Sequence, residues 1–542
     1  MKLNKNLLAV AITSITALTL YGCGTEKQDG GSGSSNADIS SGVAVDGPIT
    51  RAQVFYDFNG NGEKDSFEPG ALTDNNGHYN YDLLNGIDYC SGSSARPEFC
   101  LKLTNAQYND MSADTKIIIT GGYDLYTGEP FEGTMSFPAE QSNGLSPYIA
   151  ITPMTSMIEG GSEGLNDFIT YLNTIDGISG ITLSNILNLN FLESADKFNP
   201  QAFAVTYQMH KYVTVISDWV KEHYSAIEEG EEVTSDISGL IYRQFEDLNK
   251  STLNDYKIAW NAIRANIDEL YSDAELSQPT EPNSDAVDIL AARLAAVNSA
   301  TTTAFGASPL GSNAEFTFAN AKGRIRGVEV VVLKIIRSDN DETAHAGALA
   351  ALSDSGYLAN LQGSTEEGQE GNFNFTQLVE TTGNQSDFLT AANNAKETGG
   401  SSLSSDLTGK MLDFEDDDSS IESKAAIFFT GAEGATRGDI HLCLKYEDGS
   451  DQSLAGDYIS GSWETLAALN NTIMLRLEYL GGRSAVLKKI GETGNGNEAN
   501  YRFDFNGETS KFTGDSTFTE IGDTPVITSS AACKAYVDAV ES

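Results

Sequence analysis

Along the 542-residue chain the spacing of apolar and polar positions changes character several times, and each change predicts a different kind of element. Lys2 and Lys5 precede an apolar run from Leu7 to Leu20 that is too short to span a bilayer comfortably and reads as a secretion signal, residues 1–22. From Gly24 to about Ser41 Gly, Ser, Asn and Asp predominate, which predicts a flexible tether over 23–41. Between Gly42 and Pro138, short β-rich runs such as Ala52 to Tyr56 and Lys116 to Ile119 alternate with Gly, Asn and Asp turns, predicting a small β-sandwich over 42–140.

From about Ile151 the period becomes helical, and a helical bundle is expected over 141–305. Asn199-Pro200 is a cap followed by a first-turn proline, after which Val205, Met209, Tyr212, Ile216 and Trp219 recur at three and four. Leu253, Tyr256, Trp260, Ile263, Ile267 and Leu270 predict a second helix, and Asp285 to Asn298, capped by Ser284, a third. Beyond Gly306 strands are expected again. Val328 to Ile336 is apolar, Ile440, Leu442, Leu444 and Tyr446 alternate, and so do Ile473, Leu475, Leu477 and Tyr479 before a Gly481-Gly482 turn. The expectation is a C-terminal β-sandwich or jelly roll over 306–542, with the Gly/Ser/Asn-rich tract 362–408 as a long insertion, in a multidomain α+β chain.

Charge and cysteines narrow the surroundings. With 33 Lys and Arg against 77 Asp and Glu, the net charge of −44 argues against nucleic acid, whose phosphates need a basic face. Such acidity reads as a well-solvated surface suited to salty surroundings, where charges are screened beyond about 10 Å, with the gathering of cations as the alternative. The signal closes on Leu20-Tyr21-Gly22-Cys23, which resembles the lipobox of bacterial lipoproteins, in which a small residue precedes the cysteine that is acylated. Tyr21 departs from the usual pattern, and Gly24, in place of aspartate, implies sorting to the outer membrane. No other segment reaches about 18 unbroken apolar residues, so the membrane contact expected is the lipid on Cys23. The remaining cysteines fall into a near pair, Cys90 and Cys100, and a far pair, Cys443 and Cys533. Disulfides within each pair are the simplest arrangement for an exported chain, other pairings being compatible with the sequence.

One motif carries specific chemistry. Asp57-Phe58-Asn59-Gly60-Asn61-Gly62, five further residues and Glu68 fit the twelve-residue calcium loop D-x-[DN]-x-[DN]-G-x5-E, with Asp65 at its ninth position. Calcium takes six to eight oxygens. Asp57, Asn59 and Asn61 would supply side-chain oxygens, Glu63 a carbonyl, Asp65 a direct or water-bridged oxygen and Glu68 a bidentate carboxylate, while Gly62 permits the sharp turn. A strand-like Ala52 to Tyr56 enters the loop and Pro69 ends any exiting helix, so a calmodulin-type switch is not expected.

Gly47-Pro48-Ile49, Ala52 to Phe55, the loop itself and Thr73-Asp74-Asn75-Asn76-Gly77-His78-Tyr79 together resemble the calcium-binding B-repeat and carboxypeptidase-regulatory-like (transthyretin-like) sandwiches of bacterial surface proteins. Thr120 to Asp124, Thr127 to Gly133 and Ile151 to Met157 look like the tract that follows such sandwiches in exported adhesin-like proteins. The resemblance covers roughly residues 42–230 and implies a surface module without catalytic residues.

Other motifs weigh less. Gly160-Gly161-Ser162-Glu163-Gly164 matches a nucleophile elbow but lacks the buried strand that must precede one. His78, His210, His223, His345 and His441 show no metal spacing, Arg437-Gly438-Asp439 precedes a predicted strand, and Asp413 to Asp418 read as a solvated acidic loop or a second calcium site. Trp463, Tyr446 and Tyr458 are aromatics that either stack on a glycan or pack in a core. The expected function is a non-catalytic, lipid-anchored, calcium-stabilised binding or adhesion protein whose ligand is a glycan or a surface protein. The alternative is a calcium-dependent polysaccharide-active enzyme using paired carboxylates.

If Cys23 carries the anchor, wild type incorporates labelled fatty acid in cells. Cys23→Ala then abolishes the label and either releases the protein from membranes or blocks its maturation.

Overall fold

The computed structural model describes residues 41–45, 47–62, 64–112, 115–131, 134–139, 148–153, 155–157, 170, 173–174, 182, 198–223, 284–306, 316–337, 342–363, 373, 375–397, 411–418, 421–431, 437–448, 452–465, 472–477, 484–492, 498–506, 511–521 and 527–538. The fold is mixed α+β and divides into two compact units, one spanning Asn36–Gly399 and the other carrying Gly400–Ser542.

In the first unit, β1 (Ser41–Ala44) lies between β5 (His78–Tyr79) and β11 (Tyr148–Ile151), parallel to β11 and antiparallel to β5. A second sheet runs β10 (Thr134–Pro138), β8 (Lys116–Thr120), β3 (Gln53–Asp57), β4 (Gly70–Leu72). Short ladders join β2 (Ile49–Thr50) to β9 (Tyr123–Asp124) and β6 (Tyr81–Asp82) to β7 (Ile87–Asp88). Gly122 (φ 81°) lets these turns close up, because a Cβ there would lie 2.5 Å from the Ala52 nitrogen. A short helix α1 (Asn105–Asp110) is held by a capping box between Thr104 and Gln107.

The expected helix after Asn199 is present as α2 (Pro200–His223), and Asn199 Oδ1 accepts the Ala202 N–H at its start. Its apolar stripe is buried, and so are Gln208, His210, Lys211 and Thr214 on the other sides. The predicted third helix extends to α3 (Ser284–Phe305). The second predicted helix, Leu253 to Leu270, lies outside the described residues.

Three expectations are corrected. Val328 to Ile336 belongs to a helix, α4 (Phe318–Arg337), rather than a strand. Ala321, Ile325, Val328, Val332 and Ile335 recur at three and four, and burial on several sides overrides the β-propensity of the valines. The chain then continues as α5 (Glu342–Ala351), α6 (Ser355–Gln362), α7 (Phe375–Glu380) and α8 (Gln385–Glu397), so the expected insertion 362–408 holds two helices and the helical region runs well past 305. Gly323 allows α4 to approach α6, where a Cβ would lie 2.5 Å from the Leu358 carbonyl oxygen. One buried cluster runs from Val43 to Ala395, joining the sheets to the helices, so the predicted 42–140 and 141–305 segments share a core.

The third correction concerns the C-terminal strands, which form neither a sandwich nor a jelly roll. β12 (Met411–Asp418), β13 (Ile421–Phe429), β14 (Arg437–Asp448), β15 (Gln452–Thr465), β16 (Thr472–Leu477), β17 (Ser484–Glu492), β18 (Glu498–Asn506) and β19 (Lys511–Ile521) pair in sequence order. β12 also pairs with β19, closing an eight-stranded barrel. Alternation predicts strands but carries no information about closure, which removes both sheet edges. Ile427, Phe429, Ile440, Ile459, Trp463, Ile473, Leu475, Leu487 and Tyr501 fall in register on one face. The opposite face of β13–β15 carries Ala426, Phe428, Cys443 and Tyr458, which pack with Ile527, Cys533 and Tyr536 of the C-terminal segment and its helix α9 (Ser530–Asp538). An eight-stranded barrel is too narrow inside to hold a helix, so the face packed against α9 is the outside and the Phe429–Trp463 face points inward.

Cys443 is joined to Cys533, as its position out of phase with Ile440 and Leu442 predicts, and Cys90 to Cys100. Replacing both Cys443 and Cys533 with serine is expected to destabilise the barrel by up to about 4.6 kcal/mol in the chain-entropy model. Denaturant unfolding of the full chain measures the loss, and peptide mapping without reductant should recover the Cys443–Cys533 link.

Candidate metal centre

The calcium-type loop leaves β3 at its last residue, Asp57, and ends just before β4. Asp57 is 1% exposed and Glu68 4%, although the loop between them projects into solvent. Asp57 Oδ1 accepts the Gly60 N–H at 2.7 Å and Oδ2 the Gly62 N–H at 3.0 Å, wrapping the turn around the first carboxylate. Gly60 and Gly62 have φ of 76° and 78°, which a side chain would strain. Glu68 closes the loop from its other end: Oε1 accepts the Phe58 N–H at 2.7 Å and Oε2 the Asp65 N–H at 3.0 Å. Asn59 and Asn61 direct Nδ2 to Asp65 Oδ2 at 2.8 and 3.3 Å. Burial holds the Glu68 carboxyl above its ordinary range, outweighing its two N–H donors, and Asp57 and Asp65 push the same way. Five of the six sequence-predicted ligand residues are therefore gathered in one turn, while Glu63 lies outside the described residues. The donor chemistry fits calcium, provided that both asparagines turn their amide oxygens inward.

A second group was not legible in the histidine spacing. Asp74, His78 and Asp82 are 3%, 1% and 1% exposed, and their ligating atoms all lie within 4.8 Å of one another. His78 Nδ1 is 3.6 Å from Asp74 Oδ1 and 3.6 Å from Asp82 Oδ1. An extended strand would separate residues 78 and 82 by about 13 Å. Asn80, at φ 63°, folds the chain back between β5 and β6, and its Oδ1 is fixed by the Leu101 N–H at 2.6 Å. The Cys90–Cys100 disulfide closes the adjoining segment and holds Tyr89 beside the group, its hydroxyl donating to Asp74 Oδ2 at 2.7 Å. Burial would raise the Asp74 carboxyl, but His78 and the Tyr89 hydroxyl outweigh it and hold it below the usual range. In the sequence the three stand at Asp74-x3-His78-x3-Asp82, a spacing that acquires meaning only from the turns between them.

The other candidates are dispersed. Cys23 and the Ser162 motif lie outside the described residues. His210 stacks on Phe131 at 5.4 Å, His345 Nε2 lies 2.8 Å from the Lys334 carbonyl oxygen, and His441 Nδ1 lies 2.7 Å from the Tyr458 hydroxyl. Asp413 to Asp418 stand on β12 rather than in a loop. Arg437 and Asp439 are exposed on β14, paired in register with Glu464 and Ser462, so the tripeptide is part of a strand. Trp463 is 2% exposed and donates Nε1–H to the Thr430 carbonyl at 2.9 Å, so it is a core residue and not a stacking platform. Among the described residues no helix is long and apolar enough to cross a membrane. No family model, curated protein or solved structure matches the chain.

Asp74 accepts the Asn76 and His78 N–H groups as well as the Tyr89 hydroxyl, so Asp74→Ala takes the acceptor from two buried donors and one half-buried donor. The expected loss is about 2–4 kcal/mol at neutral pH, read by urea unfolding with chelator present. Because the folded carboxyl titrates below its unfolded value, this stability is present above about pH 4 and disappears as the pH falls through the folded value. The gap between wild type and variant should narrow accordingly.

Proposed function

We propose that the chain is a non-catalytic, lipid-anchored binding protein of the cell outer membrane, stiffened by calcium. In this reading the sheets around the loop form a β-sandwich, and the Gly400–Ser542 barrel meets a glycan or a surface-protein ligand. The observation that carries it is the pre-shaped loop: both oxygens of Asp57 and both of Glu68 are already aimed by backbone N–H groups before any ion is considered. The anchor rests on the Cys23 pattern.

Calcium acts here as a staple. Asp57, Asp65 and Glu68 bring three negative charges into one turn, and a dication removes that repulsion while adding bonds at both ends of the loop. Strand entry through β3 gives the ion no helix pair to open. Phe429, Ile440 and Trp463 are buried on the inward face of the barrel, so this reading puts the ligand on the outer face or the rims. The outer face of β14 and β15 presents the exposed polar residues Arg437, Asp439 and Ser462.

At affinities of roughly 10⁻⁴ to 10⁻³ M, millimolar calcium contributes about 0.4 to 1.4 kcal/mol. Calorimetry of the chain without its signal should show a modest fall in Tm on chelation, absent in Glu68→Gln, with no calcium-induced rise in hydrophobic dye binding. Equal melting of wild type with calcium and with chelator overturns the calcium reading. Glycan-array binding without product release supports a binding protein, and released product establishes the enzyme alternative.

A further inference from the structure

We propose that Asp74, His78 and Asp82 form a buried site for a single divalent transition-metal ion of the zinc or cobalt kind, separate from the calcium loop. The geometry suits such an ion. Two donors 3.6 Å apart subtend roughly 120° at a metal about 2.1 Å from each. The imidazole nitrogen selects against calcium and magnesium, which take oxygen donors, and an N/O/O set belongs to first-row transition ions.

The electrostatics point the same way. Asp74 and Asp82 are both at least 97% buried, and among the described residues their ion-pair partner is His78, one imidazole for two carboxylates. Buried charge needs compensation, and a dication supplies what a single imidazole does not. The carboxylates are also held in place. Asp74 accepts the Asn76 and His78 N–H groups at 2.7 and 2.8 Å, and Asp82 Oδ1 accepts those of Leu84 and Asn85 at 2.8 and 3.1 Å. Asp82 Oδ2 takes the Asn85 side-chain amide at 2.7 Å, and Tyr89 secures Asp74 from behind. Outer partners of this kind orient ligands in metal sites. Asp82 ends β6, next to a turn whose Leu83 and Leu84 are 45% and 58% exposed.

The test uses the full chain without its signal, saturated with calcium so that the loop's oxygen donors are occupied, and titrated with Co²⁺ alone. Wild type should take up a single Co²⁺ with a visible d–d absorption band, displaced by one equivalent of Zn²⁺. His78→Gln should lose the band while keeping its circular dichroism and its calcium-dependent Tm shift. Tyr89→Phe should weaken Co²⁺ binding about 10- to 100-fold. If His78→Gln fails to fold, wild type still decides, since the assignment requires Zn²⁺ to raise its Tm and a chelator to reverse the rise. Absence of a d–d band, a band retained in His78→Gln, or a wild-type Tm unmoved by Zn²⁺ overturns the proposal in favour of an imidazole clasping two carboxylates. A Co²⁺ band in a protein without any calcium response supports this site and removes the calcium loop.

Discussion

Helix α2 has almost no solvent-facing side, and the Asn36–Gly399 unit is arranged around that constraint. Its apolar stripe needs a core, while Gln208, His210 and Lys211 on its other faces need partners, because an unpaired buried polar group costs several kcal/mol. Neighbours supply them for Lys211 and for the Gln208 amide nitrogen. Lys211 Nζ lies 2.6 Å from Glu329 of α4, whose carboxylate also accepts the Tyr207 hydroxyl. Gln208 Nε2 donates to Asn298 and Thr301 of α3 at 2.9 and 2.7 Å, and Trp219 Nε1 to the Ala286 carbonyl at 3.0 Å. Such pairs add little net stability over apolar packing, but removing one partner leaves a buried charge, so they define which helices belong together.

Arg326 extends the same logic to the strands. Burial pushes its guanidinium down to about 10, and it remains a donor to two carbonyls, Tyr126 at 2.6 Å and Leu361 at 2.8 Å, with Phe373 4.2 Å beneath it. A single side chain on α4 thus ties the turn after β9 to the end of α6. This tie and the continuous core make the β-rich segment an integral part of the unit. The Asp57–Glu68 loop closes one end of the β3–β4 ladder and the Asp74–His78–Asp82 group lies beyond the other, on turns whose backbone N–H groups donate to the carboxylates themselves. The side chains that shape the turns are the ones with ligand chemistry, so a metal bound there would couple to local structure.

The barrel solves a different problem. Eight antiparallel strands in sequence order leave two edges, and the β12–β19 pairing removes both. Its interior takes the alternate apolar positions, leaving the outer face of β13–β15 with Phe428, Cys443 and Tyr458 to be covered by α9 and fixed by the disulfide to Cys533.

The residues alone determined what depends on near neighbours: the Asn199-Pro200 cap and the stripe of α2, the alternation that makes the C-terminal strands, the phase of Cys443, and the turn that gathers Asp57, Asp65 and Glu68. Val328 to Ile336 read wrongly, because β-branched residues favour strands only when packing leaves the choice open, and burial on several sides of α4 closed it. Barrel closure was invisible for a related reason, since alternation records which side of a strand is dry but not which strand lies at the far edge. His78 is the sharpest case. Its partners are four residues away on either side, a spacing with no meaning on a straight strand: the turn from Asp74 to His78 brings one carboxylate, and the bend at Asn80, whose Oδ1 accepts the Leu101 N–H next to Cys100, brings the other.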